Sequence, residues 1–119
     1  MKVVAVIDDD PSMRTSVMRV LRASGYICET YESAEEFLEG LAASKANSAL
    51  IDIHLGGLSG LDLCKQLAAS GRFQKIILMT GIDIEANEAK AIRAGCSAYL
   101  QKPFSSRSLI NVLEKQTPA

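Results

Sequence analysis

The sequence has few of the residues that build disulfide frameworks or zinc sites. It contains one histidine, His54, and three scattered cysteines, Cys28, Cys64 and Cys96, none of them in a CxxC pair. An odd number of isolated cysteines is typical of reduced thiols in a cytosolic protein, so we expect a cytoplasmic location. A lone histidine argues against zinc, and we expect its imidazole to face solvent. Cys64, at helical spacing, is predicted to lie in the core.

The chain also lacks a strong charge bias and any long apolar run. Thirteen basic and 14 acidic residues give a net charge of -1, which offers no electrostatic argument for binding nucleic acid. The apolar opening, 1–7, is too short for a secretory signal, and no stretch approaches the length of a membrane span. With 119 residues, 48% of them hydrophobic, the sequence predicts one globular domain, 1–119, with no nucleic-acid or membrane partner.

Five short apolar runs alternate with amphipathic segments. Helix-capping residues precede several of these segments, as Asp10 and Pro11 do before the first, and Ser105 or Ser106 is expected to cap the last. Strict alternation of buried strands with helices is typical of an α/β fold with a doubly wound parallel sheet. The predicted strands are 3–7, 26–31, 48–53, 75–79 and 97–101.

Polar side chains follow these predicted strands where each strand ends. Asp8 and Asp9 follow the first, Thr80 the fourth and Lys102 the fifth. The third strand contains a single carboxylate, Asp52, which we expect at the carboxyl end, because an unpaired carboxylate in an apolar strand would take up a proton. In open parallel sheets, sites form at the carboxyl ends of the strands. We therefore expect these five side chains to share one site.

Three clustered carboxylates repel each other unless a cation is bound. Oxygen ligands of this kind suit Mg²⁺, which also binds phosphate oxygens. A carboxylate such as Asp52 can act as a nucleophile and form an acyl phosphate. The Lys102 ammonium and the Thr80 hydroxyl would then stabilise phosphoryl oxygens. The sequence predicts a phosphoryl-transfer site with Asp52 as acceptor and Mg²⁺ as cofactor.

These motifs, in this order, resemble those of the receiver domain of two-component response regulators. The resemblance is carried by Asp8-Asp9, Asp52, Thr80-Gly81 and Lys102-Pro103, and extends over 3–115. It implies a flavodoxin-like (βα)5 fold with a five-stranded parallel sheet in the order 2-1-3-4-5. It also implies a signalling domain rather than an enzyme. Such a domain catalyses only its own phosphorylation and slow dephosphorylation.

The resemblance implies a role for each pocket residue. Asp52 corresponds to the phosphoacceptor, and Asp8 and Asp9 to the acidic pocket, with Asp9 as the direct Mg²⁺ ligand. His54 corresponds to the residue that gives Mg²⁺ its backbone carbonyl. Lys102 corresponds to the cation that binds the phosphoryl group.

A second group of residues corresponds to the part of the family's site that responds to phosphorylation. Thr80 matches the switch hydroxyl, and Tyr99 the aromatic residue whose rotamer reports activation. The Lys102–Pro103 peptide bond is expected to be cis. The surface formed by the fourth helix, fifth strand and fifth helix is expected to change and to contact an output domain or a dimer mate. Four basic residues lie on or near it, Lys90, Arg93, Arg107 and Lys115.

The resemblance implies a sensor histidine kinase or phosphotransfer protein as the phosphoryl donor. We expect the sequence to be a piece cut from a longer response regulator, since 116–119 resembles the start of a linker. Two departures concern flexibility. Gly56 and Gly57 stand where the family often has Met-Pro, and Gly81 stands where alanine is common, so we expect looser loops there.

Other interpretations remain open at this stage. Asp10 is best explained as a helix cap alone. Three other residues have a simpler alternative: Lys102 as a surface lysine, Thr80 as a turn residue and Tyr99 as strand packing. A haloacid-dehalogenase-like, Mg²⁺-dependent phosphatase would need a D-x-D-x-[TV] motif, which 8–12 fits poorly. A flavin-binding flavodoxin-like protein is disfavoured by the acidic loop and the absence of tryptophan.

Overall fold

Within the residues that the computed structural model describes, 2–81 and 84–115, five strands alternate with five helices. The strands are β1 (Val3–Ile7), β2 (Ile27–Tyr31), β3 (Ser48–Asp52), β4 (Lys75–Thr80) and β5 (Ala98–Gln101). The helices are α1 (Pro11–Ala23), α2 (Ala34–Glu39), α3 (Gly60–Ser70), α4 (Ile84–Arg93) and α5 (Ser106–Glu114). All five predicted strands are therefore confirmed, with ends that differ by at most one residue. The predicted linker at 116–119 lies outside the described residues.

The sheet is parallel throughout and has the order β2-β1-β3-β4-β5, as the resemblance implied. The two central strands β1 and β3 are fully buried, which explains their continuous apolar sequences. The register pairs Ile7 with Ile51, so Asp8, which follows β1, lies beside Asp52, the last residue of β3. The fold thus brings the carboxylates of two distant segments together.

Each face of the sheet has its own apolar core, because alternate residues of a strand point to opposite faces. On one face, Ile7 and Ile51 pack with Phe37 of α2 and with Leu63 and Cys64 of α3. The predicted core position of Cys64 is confirmed by its complete burial. The other face of the sheet is covered by α1 and α5 through Val17, Leu21, Leu109 and Leu113. None of the described helices is long and apolar enough to span a membrane.

Side-chain caps define the helix starts near the site. The Asp10 carboxylate accepts a hydrogen bond from the Ser12 N–H at 2.9 Å, which confirms Asp10 as the cap of α1. At α5, the hydroxyl of Ser105 accepts from the Ser108 N–H at 3.0 Å. Ser105 is therefore the capping residue, and Ser106 is the first residue of the helix.

Gly60 allows the start of α3 to lie directly against the end of β3. A Cβ atom built on Gly60 would lie 2.1 Å from the Asp52 carbonyl oxygen and 2.7 Å from the Ile53 Cα. These neighbours are backbone atoms, which cannot turn away as a flexible side chain can. The absence of a side chain at this position therefore fixes where Asp52 leaves the sheet.

We expect Gly60→Ala to lower the free energy of unfolding by about 2 kcal/mol or more, because the added Cβ forces backbone apart. In a helix without such a contact, the change would stabilise the protein by up to about 1 kcal/mol, so the sign is informative. Urea unfolding measures it. Gly56→Ala is the control, since a Cβ there meets no atom of the described residues within 4 Å. An unchanged or higher stability for Gly60→Ala would contradict the close approach.

Candidate functional site

The carboxyl ends of the strands bring the predicted acidic residues together. Asp8, Asp9 and Asp52 each offer a carboxylate oxygen, and these oxygens lie within 4.8 Å of one another. Asp8 is completely buried and Asp52 is 7% exposed, whereas Asp9 is exposed. Two of the carboxylates therefore sit in the floor of the site, and the third lies at its open side.

Lys102 reaches into this cluster from the end of β5. Its Nζ atom lies 2.8 Å from Asp8 Oδ2 and 3.2 Å from Asp52 Oδ2. Burial alone would lower the pKa of Lys102, but hydrogen bonds and charge from the two carboxylates outweigh it and raise the pKa. Lys102 is therefore a cation at every physiological pH. The alternative of an ordinary surface lysine is wrong.

Asp52 is held in a site that opposes its own ionisation. Burial raises its pKa, and the neighbouring Asp8 charge adds to this. A hydrogen bond from the His54 N–H to Asp52 Oδ1, at 3.0 Å, and the Lys102 charge lower the pKa, but the net direction is upward. Three carboxylates and one ammonium leave excess negative charge, so the geometry favours a further cation. The His54 side chain is exposed, as predicted.

Contacts from neighbouring elements fix Asp8. Its Oδ1 accepts from the Asp10 N–H at 3.0 Å, while its backbone carbonyl accepts from Arg14 Nη1 at 2.7 Å. Its own N–H donates to the Tyr31 carbonyl at 3.1 Å. Arg14 was not predicted to belong to the site; its position one turn into α1 is the signal that its side chain could reach back to the strand end.

The remaining predicted residues lie on the adjacent strands. Thr80 is the last residue of β4 and is fully buried, so it is not an ordinary turn residue. Its carbonyl accepts from the Lys102 N–H at 2.7 Å. The Lys102–Pro103 peptide bond is cis, as expected. Tyr99 is partly buried in β5 and packs against the core formed with α3.

The family model described as the response regulator receiver domain matches residues 4–114. The chain belongs to this family. The family match does not favour the phosphatase alternative, and the domain is a signalling module of two-component systems.

Relatives of this receiver domain include the response regulator MprA of Mycolicibacterium vanbaalenii, which is 30% identical over 119 residues. That alignment covers 97% of this chain and 52% of MprA. The chain thus spans about half the length of the curated relatives that it matches.

Two solved structures share the fold. A CheY-like receiver domain protein from Methanospirillum hungatei superposes with a TM-score of 0.88 at 29% identity, covering 96% of this chain and 91% of that one. A response regulator from Burkholderia pseudomallei, solved with a phosphorylated aspartic acid, a calcium ion and citrate, gives a TM-score of 0.87 at 29% identity. It covers 97% of this chain and 68% of that one.

An unpredicted contact ties the loop after Asp52 to α2 of the receiver domain. Glu35 Oε2 accepts a hydrogen bond from the Leu58 N–H at 2.8 Å, and this bond lowers the pKa of Glu35. Gly57 has a φ of +74°, and a Cβ there would lie 2.5 Å from the same Glu35 oxygen. The glycine pair suggested a loose loop; in the structure, Gly57 permits the anchoring contact.

Gly81 has more room than Gly57, since among the described residues a Cβ there would meet only the Lys102 Cβ, at 3.9 Å. Alanine, which is common in the family at this position, would therefore fit this backbone. A looser loop because of Gly81 stays a prediction.

We expect Glu35→Ala to increase amide hydrogen exchange at Leu58 several-fold, because the N–H loses its acceptor and opens to water. NMR detection of exchange at this amide makes the measurement. Glu36→Ala is the matched control: it removes the same charge from the same helical turn, while the Glu36 N–H keeps its bond to Ser33 Oγ. Equal protection of Leu58 in the wild type and in Glu35→Ala would show that the contact does not hold the loop.

Proposed function

We propose that the receiver domain accepts a phosphoryl group on the Asp52 carboxylate. The observation that supports this most strongly is the bridging position of Lys102 Nζ, at 2.8 Å from Asp8 and 3.2 Å from Asp52. An ammonium in this position can pair with the carboxylate before the transfer and with the phosphoryl oxygens after it. Phosphoryl transfer depends mainly on positioning and charge neutralisation, and this cluster supplies both.

In the proposed reaction, an Asp52 oxygen attacks the phosphorus atom of a phosphohistidine on a sensor histidine kinase or a phosphotransfer protein. The new P–O bond forms an acyl phosphate as the P–N bond to the donor breaks. The His54 N–H, bound to Asp52 Oδ1, orients the carboxylate for attack. Lys102 pairs with the transferred phosphoryl oxygens, and the buried Thr80 lies at the adjacent strand end to donate its hydroxyl. Slow hydrolysis of the acyl phosphate by the same site would reset the domain.

The donor set of the pocket fits Mg²⁺. Its ligand atoms are oxygens, and the excess negative charge is the condition under which a divalent cation binds well. Asp9, the exposed carboxylate, would hold the ion directly, together with Asp52 and the His54 backbone carbonyl, and Asp8 would complete the acidic pocket. When bound, the ion offsets the charge that develops on the phosphoryl oxygens.

We propose that phosphorylation is transmitted through Thr80 and Tyr99. Thr80 would move towards the phosphoryl group, and Tyr99, on the neighbouring strand, would follow. The surface formed by α4, β5 and α5 would then change its contacts with an output domain or a dimer mate. Lys90, Arg93, Arg107 and Lys115, on or near this surface, are exposed and suit an acidic partner. In the whole protein we place this module in the cytoplasm, where the donor kinases present their phosphohistidines.

The test is intact mass after incubation with acetyl phosphate, with and without Mg²⁺. We expect the wild type to gain one phosphoryl group in the presence of Mg²⁺ only. Asp52→Asn should gain none while keeping its fold, because an amide is a poor nucleophile. Full phosphorylation of this variant would contradict the assignment of the acceptor.

Asp10→Asn is the matched control for the acidic pocket. It removes a carboxylate from the same aspartate run, but asparagine caps a helix as well as aspartate does, so phosphorylation should persist.

In Thr80→Ala we expect a phosphorylated protein whose Tyr99 NMR signals no longer respond to phosphorylation. A Tyr99 response equal to that of the wild type would contradict the proposed transmission.

A further inference from the structure

Two of the three thiols meet between α3 and the turn that follows α4. Cys64 lies in α3 and is fully buried, while Cys96 follows α4 and is partly exposed. Both side chains pack in the same apolar core, which α3 and the end of α4 form on one face of the sheet. Cys28 packs in the core on the opposite face of the sheet. The fold thus forms a thiol pair from cysteines that are distant in the sequence.

The backbone around this pair is closely packed. A Cβ on Gly95 would lie 2.8 Å from the Ala68 Cβ of α3, so the absence of a side chain there lets the turn approach the helix. On the same side, Cys64 Sγ lies 3.7 Å from the Ala94 carbonyl oxygen. The Cys96 N–H is bonded to the Ala91 carbonyl at 3.1 Å. These contacts hold the segments of the two cysteines against each other.

We propose that Cys64 and Cys96 form a site of reversible oxidation that closes as an intramolecular disulfide when a peroxide is present. The Cys64 sulfur already contacts the carbonyl two residues before Cys96, so the two thiols lie on facing segments, and a disulfide requires their sulfurs to approach to about 2 Å. Neither thiol is part of the proposed phosphoryl-transfer site. The proposal is therefore independent of the proposed function.

The oxidation begins at the exposed member of the pair. The Cys96 sulfur attacks the peroxide, the O–O bond breaks, and the products are a sulfenic acid and one water molecule. The Cys64 sulfur then attacks the Cys96 sulfur, the S–O bond breaks, and a second water molecule leaves. In total, two thiols and one hydrogen peroxide give one disulfide and two waters, with both sulfurs oxidised and both peroxide oxygens reduced.

The surroundings of Cys96 give the reaction access and set its rate. Cys96 lines a surface cavity of about 190 Å³ together with Ile92, Ser97 and Tyr99, which a peroxide can enter. The neighbouring Cys64 thiol and burial both raise the pKa of the Cys96 thiol. Because the thiolate is the reactive form, oxidation at neutral pH should be slow, and it should reverse with a dithiol reductant.

The bond would connect α3 to the turn that leads into β5, three residues before Tyr99. A crosslink between distant parts of the chain stabilises the folded state. We expect the thermal midpoint of the oxidised protein to rise by roughly 5 °C or more, and to return after reduction.

The experiment treats the protein with millimolar hydrogen peroxide, alkylates the remaining thiols under denaturing conditions and measures intact and peptide masses. Cys28→Ser is the matched control, because it removes the thiol outside the pair. We expect this variant to lose two hydrogen atoms and to yield one peptide pair linked through Cys64 and Cys96, without alkylation of either.

Cys96→Ser should form no intramolecular disulfide, and because this position is partly exposed, the result does not depend on a change in the core. Three outcomes would overturn the proposal. These are full alkylation of both cysteines after peroxide treatment, oxidation of Cys96 to a sulfinic acid without a crosslink, and disulfide-linked dimers in place of the internal bond. Loss of acetyl phosphate reactivity alone would bear on the proposed function and leave this result unchanged.

Discussion

The structure depends on the charge of Lys102 between two carboxylates at the ends of neighbouring central strands. Asp8 and Asp52 would repel each other in a buried site, and the ammonium at 2.8 Å and 3.2 Å offsets this repulsion. Removing an ion from water costs free energy unless the ion is paired. The two buried carboxylates are therefore stable only with the Lys102 ammonium between them. The rest of the fold supports this contact: the register of β1 with β3 aligns the two carboxylates, and Gly60 lets α3 pack against the Asp52 carbonyl.

The compensation is incomplete, and this is the basis of the functional argument. Asp9 adds a third carboxylate at the open side of the site, and the pKa of Asp52 stays above its ordinary value, with burial as its largest cause. A site with this imbalance is suited to a divalent cation, which in turn can bind the oxygens of a phosphoryl group. The excess negative charge that favours a cation is therefore also what suits the site to the proposed chemistry.

Much of the site could be predicted from the sequence, because its residues follow apolar runs whose strand character is local. Val3–Ile7 could be assigned from β-branched residues alone, and parallel strands must end at one edge, which brings Asp8, Thr80 and Lys102 together. The contacts that could not be predicted join segments without a local pattern. The Glu35 carboxylate meets the Leu58 amide only after α2 and the β3–α3 loop are packed, and the Cys64–Cys96 pair requires α3 to lie against the end of α4. Such contacts depend on tertiary placement, which periodicity does not specify.

An NMR titration of the metal-free protein with Mg²⁺, in the wild type and in Asp9→Asn, would show whether the carboxylates act together on a cation. We expect saturable shifts at the amides of Asp9, Ile53 and His54, next to the acidic cluster. The affinity should be about tenfold or more lower in the variant, because one full ligand charge is lost at short range. The absence of a saturable response in the wild type, or equal affinities in the two proteins, would contradict the claim that the three carboxylates form a cation-dependent site.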